Sequence, residues 1–146
     1  YQENLLPVPG GIELGGVGID LTKIELPVFI LSTREDHIAP WKSTFAATRL
    51  YKGPVRFCLS ASGHIAGVVN PPAAQKYSYW TSAKKAATPD EWLAGADQRP
   101  GSWWPEWAKW VAKHGGGKVK ARVPGGGALK PIEDAPGSYV RVTAGS

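Results

Sequence analysis

Pro27-Val28-Phe29-Ile30-Leu31-Ser32-Thr33-Arg34-Glu35-Asp36-His37 and Val55-Arg56-Phe57-Cys58-Leu59-Ser60-Ala61-Ser62-Gly63-His64 are the two stretches that decide how this chain folds. Each is a short apolar run that ends in polar and small residues, the pattern of a buried strand running into a loop. Between them Trp41, Phe45 and Thr48 recur at helical spacing, and Gly53-Pro54 supplies a stop. Strand, helix, strand is a βαβ unit, whose strands are parallel and whose crossover is almost always right-handed. Both strands then open their carboxyl ends on one edge of a sheet, where open α/β folds place their chemistry. Asp36 and His64 are thereby expected to be neighbours.

An acid followed by a histidine at consecutive strand ends is half of a catalytic triad. The near-neutral pKa of histidine suits proton transfer, and a carboxylate that accepts its ring N–H fixes the tautomer and stabilises the imidazolium. Asp36 could instead cap the helix that starts near Trp41. Glu35 and His37 are rivals by adjacency, but neighbouring side chains in an extended segment diverge, so one acidic partner is expected and Asp36 is taken. In α/β-hydrolases the order is nucleophile, acid, histidine, with the nucleophile on a G-x-S-x-G elbow. No such elbow centred on Ser or Cys occurs in the 146 residues. The expectation is that the nucleophile lies before Tyr1 and that this chain is the C-terminal part of a larger enzyme, since a complete fold of that kind needs about twice the length. Cys58, the single thiol, falls inside an apolar run and reads as core. His114, beside Gly115-Gly116-Gly117, reads as a favourable helix C-terminal cation. Three histidines without ligand spacing predict no metal site, and no cofactor is expected.

Composition narrows the classes further. No apolar stretch approaches the roughly 20 residues of a membrane helix, and the start, Tyr-Gln-Glu-Asn, is unlike a signal peptide, so a soluble protein without a transmembrane segment is expected. A lone cysteine fits a reducing compartment. The net charge is +5, and no Asp or Glu lies between Asp36 and Asp90, whereas Lys42, Arg49, Lys52, Arg56, Lys76, Lys84 and Lys85 do. Such an interval is either an ordinary solvated face or a positive field for a phosphate-bearing substrate. The basic residues neither form runs nor alternate with aromatics, so nucleic acid is not expected.

Along the rest of the chain, glycines at 10–11 and 15–16 punctuate short runs at residues 12–14 and 17–21, predicting a small hairpin within 7–26. These glycines lack the spacing of a nucleotide loop. Asn70-Pro71-Pro72 breaks whatever short helix follows His64, and Thr88-Pro89-Asp90-Glu91 starts another that ends near Gly95. A longer helix is predicted from about Ser102 to His114, with Trp103, Trp107, Trp110 and Val111 on one side. Large aromatics at helical spacing favour docking on a core over a platform for a polymer. Beyond Gly115 the glycine, proline and lysine content predicts a loosely ordered tail. The expected division is a core part at 1–88 and a Trp-rich helical extension with a loose tail at 89–146.

A family resemblance runs through these same residues. Glu3-Asn4, Val8-Pro9-Gly10, residues 32–41 (Ser-Thr-Arg-Glu-Asp-His-Ile-Ala-Pro-Trp), Gly53-Pro54-Val55-Arg56-Phe57, residues 61–72 (Ala-Ser-Gly-His-Ile-Ala-Gly-Val-Val-Asn-Pro-Pro) and Tyr79-Trp80-Thr81 resemble the C-terminal third of poly(3-hydroxyalkanoate) synthases. Trp92-Leu93-Ala94-Gly95-Ala96, Gly101-Ser102-Trp103-Trp104-Pro105-Glu106-Trp107 and Ala135-Pro136-Gly137-Ser138-Tyr139-Val140 do so too, and the Trp-rich part is similar to the class I enzymes.

The resemblance implies the C-terminal portion of an α/β-hydrolase fold, with parallel strands and crossover helices. It implies an acyltransferase that polymerises (R)-3-hydroxyacyl-CoA, typically 3-hydroxybutyryl-CoA, on a cysteine thioester with release of CoA. Asp36 matches the family's catalytic aspartate and His64 its catalytic histidine, with His37 a possible supporting residue. The family's nucleophilic cysteine is not matched by Cys58, so this piece alone is expected to be inactive, and residues 1–10 would correspond to where a mobile cap rejoins the core. A homodimer of the full-length enzyme, the growing polyester chain, and a cytoplasmic location at the polyester granule surface are the implied partners and place. An esterase or depolymerase of the same fold, or a non-catalytic granule or subunit-contact piece, is the alternative.

Overall fold

The computed structural model describes residues 2–144. The parts of the sequence expectations that fall on Tyr1 and on residues 145–146 lie outside the described residues. Two compact units divide the chain, Tyr1–His114 and Gly115–Ser146.

The first unit is built on a mixed sheet with helices on both faces, an α/β arrangement. Its strands are β3 (Val28–Thr33), β4 (Val55–Ser60), β5 (Ser78–Thr81) and β6 (Asp97–Pro100), in that spatial order. Ahead of them β1 (Glu13–Leu14) and β2 (Val17–Gly18) form a separate two-stranded hairpin. β3 and β4 pair in parallel, from Val28 opposite Val55 to Thr33 opposite Ser60. β4 with β5 and β5 with β6 are antiparallel, so the expectation of parallel strands holds for the first pair alone. A parallel partner for β4 would need a crossover connection that carries the chain back along the sheet, usually on a helix. The segment after His64 instead forms only α3 (Ala66–Val69) and a 3₁₀ turn at Pro72–Ala74 before turning back into β5.

Alternation along β4 assigns the two faces. Phe57 and Leu59 point to a cluster with Trp41, Phe45, Trp80 and Trp92, whereas Cys58 points to the opposite face with Tyr79 and Trp103. The first cluster is covered by α1 (Trp41–Thr44) and α4 (Pro89–Ala94). The second is joined by Phe29 and Leu31 of β3 and leads to α5 (Trp104–His114), whose Trp110 meets Phe29 edge-on at 5.6 Å.

Three local departures from expectation have identifiable causes. The helix expected over Trp41, Phe45 and Thr48, ahead of the stop at Gly53-Pro54, is two single turns, α1 and α2 (Ala47–Leu50). Thr44 and Thr48 turn their hydroxyls back onto the carbonyls of Trp41 and Phe45, at 3.0 and 2.7 Å, an alternative hydrogen bond that bends helices. The second hairpin strand stops at Gly18 rather than Leu21, because Asp20 accepts from the Thr22 backbone N–H at 3.0 Å and starts a 3₁₀ turn at Leu21–Lys23. The long helix begins at Trp104, two residues after the expected start. By contrast α4 begins with the capping box read from Thr88 and Glu91 and ends against Gly95. The second unit, described by itself, contains one 3₁₀ turn at Ser138–Arg141 and otherwise no regular element among its described residues.

Candidate active site

β3 and β4 end side by side, and the loops that leave them are tied together by their backbones. The Arg34 N–H donates to the Ser60 carbonyl at 2.8 Å and the Glu35 N–H to the Ser62 carbonyl at 3.0 Å, extending the parallel ladder past the last strand residues. Ser62 takes a left-handed backbone, φ 73°, which turns the chain sharply before Gly63 and His64. This brings His64 Nδ1 to 2.8 Å from Asp36 Oδ2.

The carboxylate in this pair is held on several sides. Asp36 Oδ1 accepts the backbone N–H groups of Ile38 and Ala39 at 2.9 and 2.8 Å, and Thr33 Oγ1 donates to Oδ2 at 3.4 Å. The side chain is only 8% exposed. Donors of this kind favour the ionised form, and the Ala39 N–H and the His64 ring together lower the Asp36 carboxyl to about 2. An ionised Asp36 can only accept, so Nδ1 of His64 carries the hydrogen and Nε2 is left as the basic nitrogen. The imidazole is 48% exposed. The helix-cap role considered for Asp36 is not taken up: Pro40 occupies the N-cap of α1, and Asp36 closes its own turn instead.

His37 is exposed, and among the described residues no hydrogen bond or ion pair reaches its ring. Glu35 is likewise exposed, meeting the second loop only through its backbone. Cys58 is fully buried in β4. Burial, with the Glu106 carboxylate as a second cause, pushes its thiol up to about 12, which removes the thiolate a nucleophile needs. His114 Nδ1 donates to the Trp110 carbonyl of its own helix at 2.8 Å. No cluster of three or more metal-ligating side chains occurs among the described residues.

The acid-free interval is not acid-free in space. Lys42 pairs with Asp90 at 2.6 Å, Lys52 with Glu25 at 2.5 Å, and Arg56 with Glu106, partners that come from before or after the interval. Three of the seven basic residues in the interval are therefore met by carboxylates brought in by the fold.

Residues that the sequence reading did not single out complete the surroundings. Gly67 in α3 packs directly over Thr33, where a Cβ would lie 2.6 Å from the threonine methyl and 2.5 Å from the Ala61 carbonyl oxygen. Ser60 Oγ donates to the Gly67 carbonyl at 2.9 Å. The only signal for Gly67 in the sequence is a glycine inside an otherwise helical turn, which lowers propensity and points to close packing.

No protein-family model matches the chain. Among curated proteins it is 48% identical over 145 residues to "Poly(3-hydroxyalkanoate) polymerase subunit PhaC" of Cupriavidus necator, covering 99% of this chain and 25% of that protein. The protein of the same name from Rhizobium etli is 51% identical over 127 residues, 87% of this chain and 20% of its own length. "Poly(3-hydroxyalkanoate) polymerase" of Methylorubrum extorquens is 46% identical over 145 residues, 99% and 24% respectively. The chain therefore spans about a quarter of the length of the curated relatives it matches. Over most of its length the chain is thus similar to about a quarter of the sequence of poly(3-hydroxyalkanoate) polymerases.

Proposed function

We propose that this chain is the acid–base part of an acyltransferase that builds polyester from (R)-3-hydroxyacyl-CoA, 3-hydroxybutyryl-CoA in the first instance, as the C-terminal portion of a class I α/β-hydrolase-type enzyme. The observation that carries the reading is the Asp36–His64 hydrogen bond of 2.8 Å at the ends of two parallel strands, within a chain so similar to named polymerases. Cys58, buried and with its thiol raised to about 12, is unsuited to attack, so the nucleophilic cysteine comes from a part of the enzyme outside this chain.

The chemistry follows from the pair. His64 Nε2 takes the proton of the cysteine thiol, while Asp36 balances the imidazolium through Nδ1–H. The thiolate attacks the thioester carbonyl, the C–S bond to CoA breaks, and the departing sulfur takes up the proton from Nε2. In the second half the 3-hydroxyl of one acyl unit attacks the thioester of another, forming the ester bond. Its proton returns through the same base to the cysteine sulfur, or to CoA. Asp36 either serves His64 throughout or helps activate that hydroxyl, and His37 stands beside it as a possible support. A homodimeric full-length enzyme at the surface of the polyester granule in the cytoplasm belongs to the same reading. No helix among the described residues is long and apolar enough to cross a membrane.

The test is CoA release from 3-hydroxybutyryl-CoA by a chimera in which this chain replaces the matching quarter of the Cupriavidus necator polymerase. Substitution of His64 by Gln is expected to lower turnover by about a thousandfold or more, the scale of losing a triad member. A chimera without polymerase activity, or an active one indifferent to His64→Gln, would overturn the assignment.

A further inference from the structure

α3, the short helix that follows His64, cannot complete its own hydrogen bonding. The carbonyls of Gly67 and Val68 would be met by backbone N–H groups four residues on, but those positions are Pro71 and Pro72, which have none. Ser60 Oγ donates to the Gly67 carbonyl at 2.9 Å, and two tryptophans from more than thirty residues downstream fill the rest of the gap. Trp103 Nε1 donates to the Gly67 and Val68 carbonyls at 3.2 and 3.1 Å, and Trp104 Nε1 to the Val68 and Val69 carbonyls, both at 3.2 Å.

The two indoles are themselves fixed. Their rings stack at 4.6 Å, Trp103 is buried beside Cys58 and Tyr79, and it faces Phe29 of β3 at 6.4 Å. At the other end of α3 the Gly67 N–H donates to the Gly63 carbonyl at 3.0 Å and the Val69 N–H to the Ile65 carbonyl at 2.9 Å. His64 therefore lies in the first turn of a unit whose last turn is held by the indoles. The middle of that unit presses on Thr33, whose hydroxyl meets Asp36.

We propose that Trp103 and Trp104 are positioning residues for the His64 imidazole: their N–H groups cap α3 from outside and hold the turn that presents the ring to Asp36. The proposal rests on His64 as the base. Without the indoles the Gly67 carbonyl would keep Ser60 Oγ but those of Val68 and Val69 would lose the donors described above; a unit of one or two turns would then relax, and reacting groups displaced by about 1 Å lose on the order of a hundredfold in rate.

The experiment replaces Trp103 and Trp104 by 3-benzothienylalanine, which keeps the bicyclic shape and puts sulfur where the N–H was. In this chain, the His64 ring nitrogens are followed by ¹⁵N NMR in alkaline solution. The double replacement is expected to shift the ratio of Nδ1–H to Nε2–H tautomers by about five- to tenfold, the weight of one hydrogen bond. In the chimera, kcat should fall by about tenfold to a hundredfold with KM for the acyl-CoA unchanged. An unchanged tautomer ratio with unchanged kcat would overturn the proposal. So would loss of the far-UV circular dichroism of the chain, which would make the indoles general packing residues. The tautomer ratio needs no catalysis, so it still decides the positioning role if His64→Gln proves harmless in the chimera.

Discussion

At the scale of single residues, Asp36 is the group whose behaviour the structure specifies most tightly. Its carboxyl, held at about 2 by the Ala39 N–H and the His64 ring, lies below the ordinary unfolded carboxylate value of about 3.9. A carboxyl depressed on folding stabilises the fold fully above the unfolded value, and that contribution disappears as pH falls through the folded one. Asp36→Asn should therefore melt at a lower temperature than the parent chain at pH 5 and above, and the gap should close between about pH 4 and pH 2. Thermal melts across that range check it; a gap that persisted at pH 2 would mean that Asp36 acts through something other than its charge. The Asp36–His64 meeting was legible in the sequence because two strand ends and one crossover fix it. Thr33, Gly67 and the indoles of Trp103 and Trp104 were not, since their role exists only through contacts between distant parts of the chain.

Elements differ in how much of themselves they carry. β3 and β4 were readable because each is a continuous apolar run of the length of a strand, and α4 because Thr88 and Glu91 write a capping box. β6 was not readable: Asp97-Gln98-Arg99-Pro100 is exposed throughout and holds no strand pattern, and it is extended only because β5 offers a backbone edge to pair with. α3 is the short helix expected between His64 and Asn70-Pro71-Pro72, but at four residues it is too short to stand alone. Gly67 tests it directly. Alanine would gain up to about 1 kcal/mol in helix propensity, yet its Cβ would meet a backbone oxygen at 2.5 Å and the Thr33 methyl at 2.6 Å. Because that oxygen belongs to the Ala61 backbone and Thr33 is part of β3, neither can yield cheaply, and overpacking of this kind costs about 1–3 kcal/mol. The clash should win. Gly67→Ala is expected to destabilise the chain by about 1–2 kcal/mol in urea titration and to weaken the amide protection of α3. A stabilised variant would show that α3 can lift from the sheet at no cost.

For the whole molecule, the decisive quantity is how few side chains join the layers. One aromatic cluster links α1 and α4 to the sheet, and Phe45, 1% exposed, sits in its middle. Its ring meets Phe57 of β4 edge-on at 5.2 Å and Trp92 of α4 at 5.9 Å. Removing a buried phenylalanine costs about 3–5 kcal/mol, a large part of the roughly 5–15 kcal/mol that keeps a domain folded. With a urea dependence of about 2 kcal/mol per molar, Phe45→Ala should lower the unfolding midpoint by about 2 M. Phe45 sits within the cluster that joins the layers, alongside the direct Phe57–Trp92 contact at 4.9 Å, so tryptophan fluorescence and far-UV circular dichroism should fall together rather than in separate steps. Phe45→Leu, which keeps most of the volume, should cost less than half as much. If Phe45→Ala lost under about 1 kcal/mol, or if the helices melted away while the sheet signal stayed, the helical layer and the sheet would be independent. The sheet alone would then have to hold Asp36 and His64 in place.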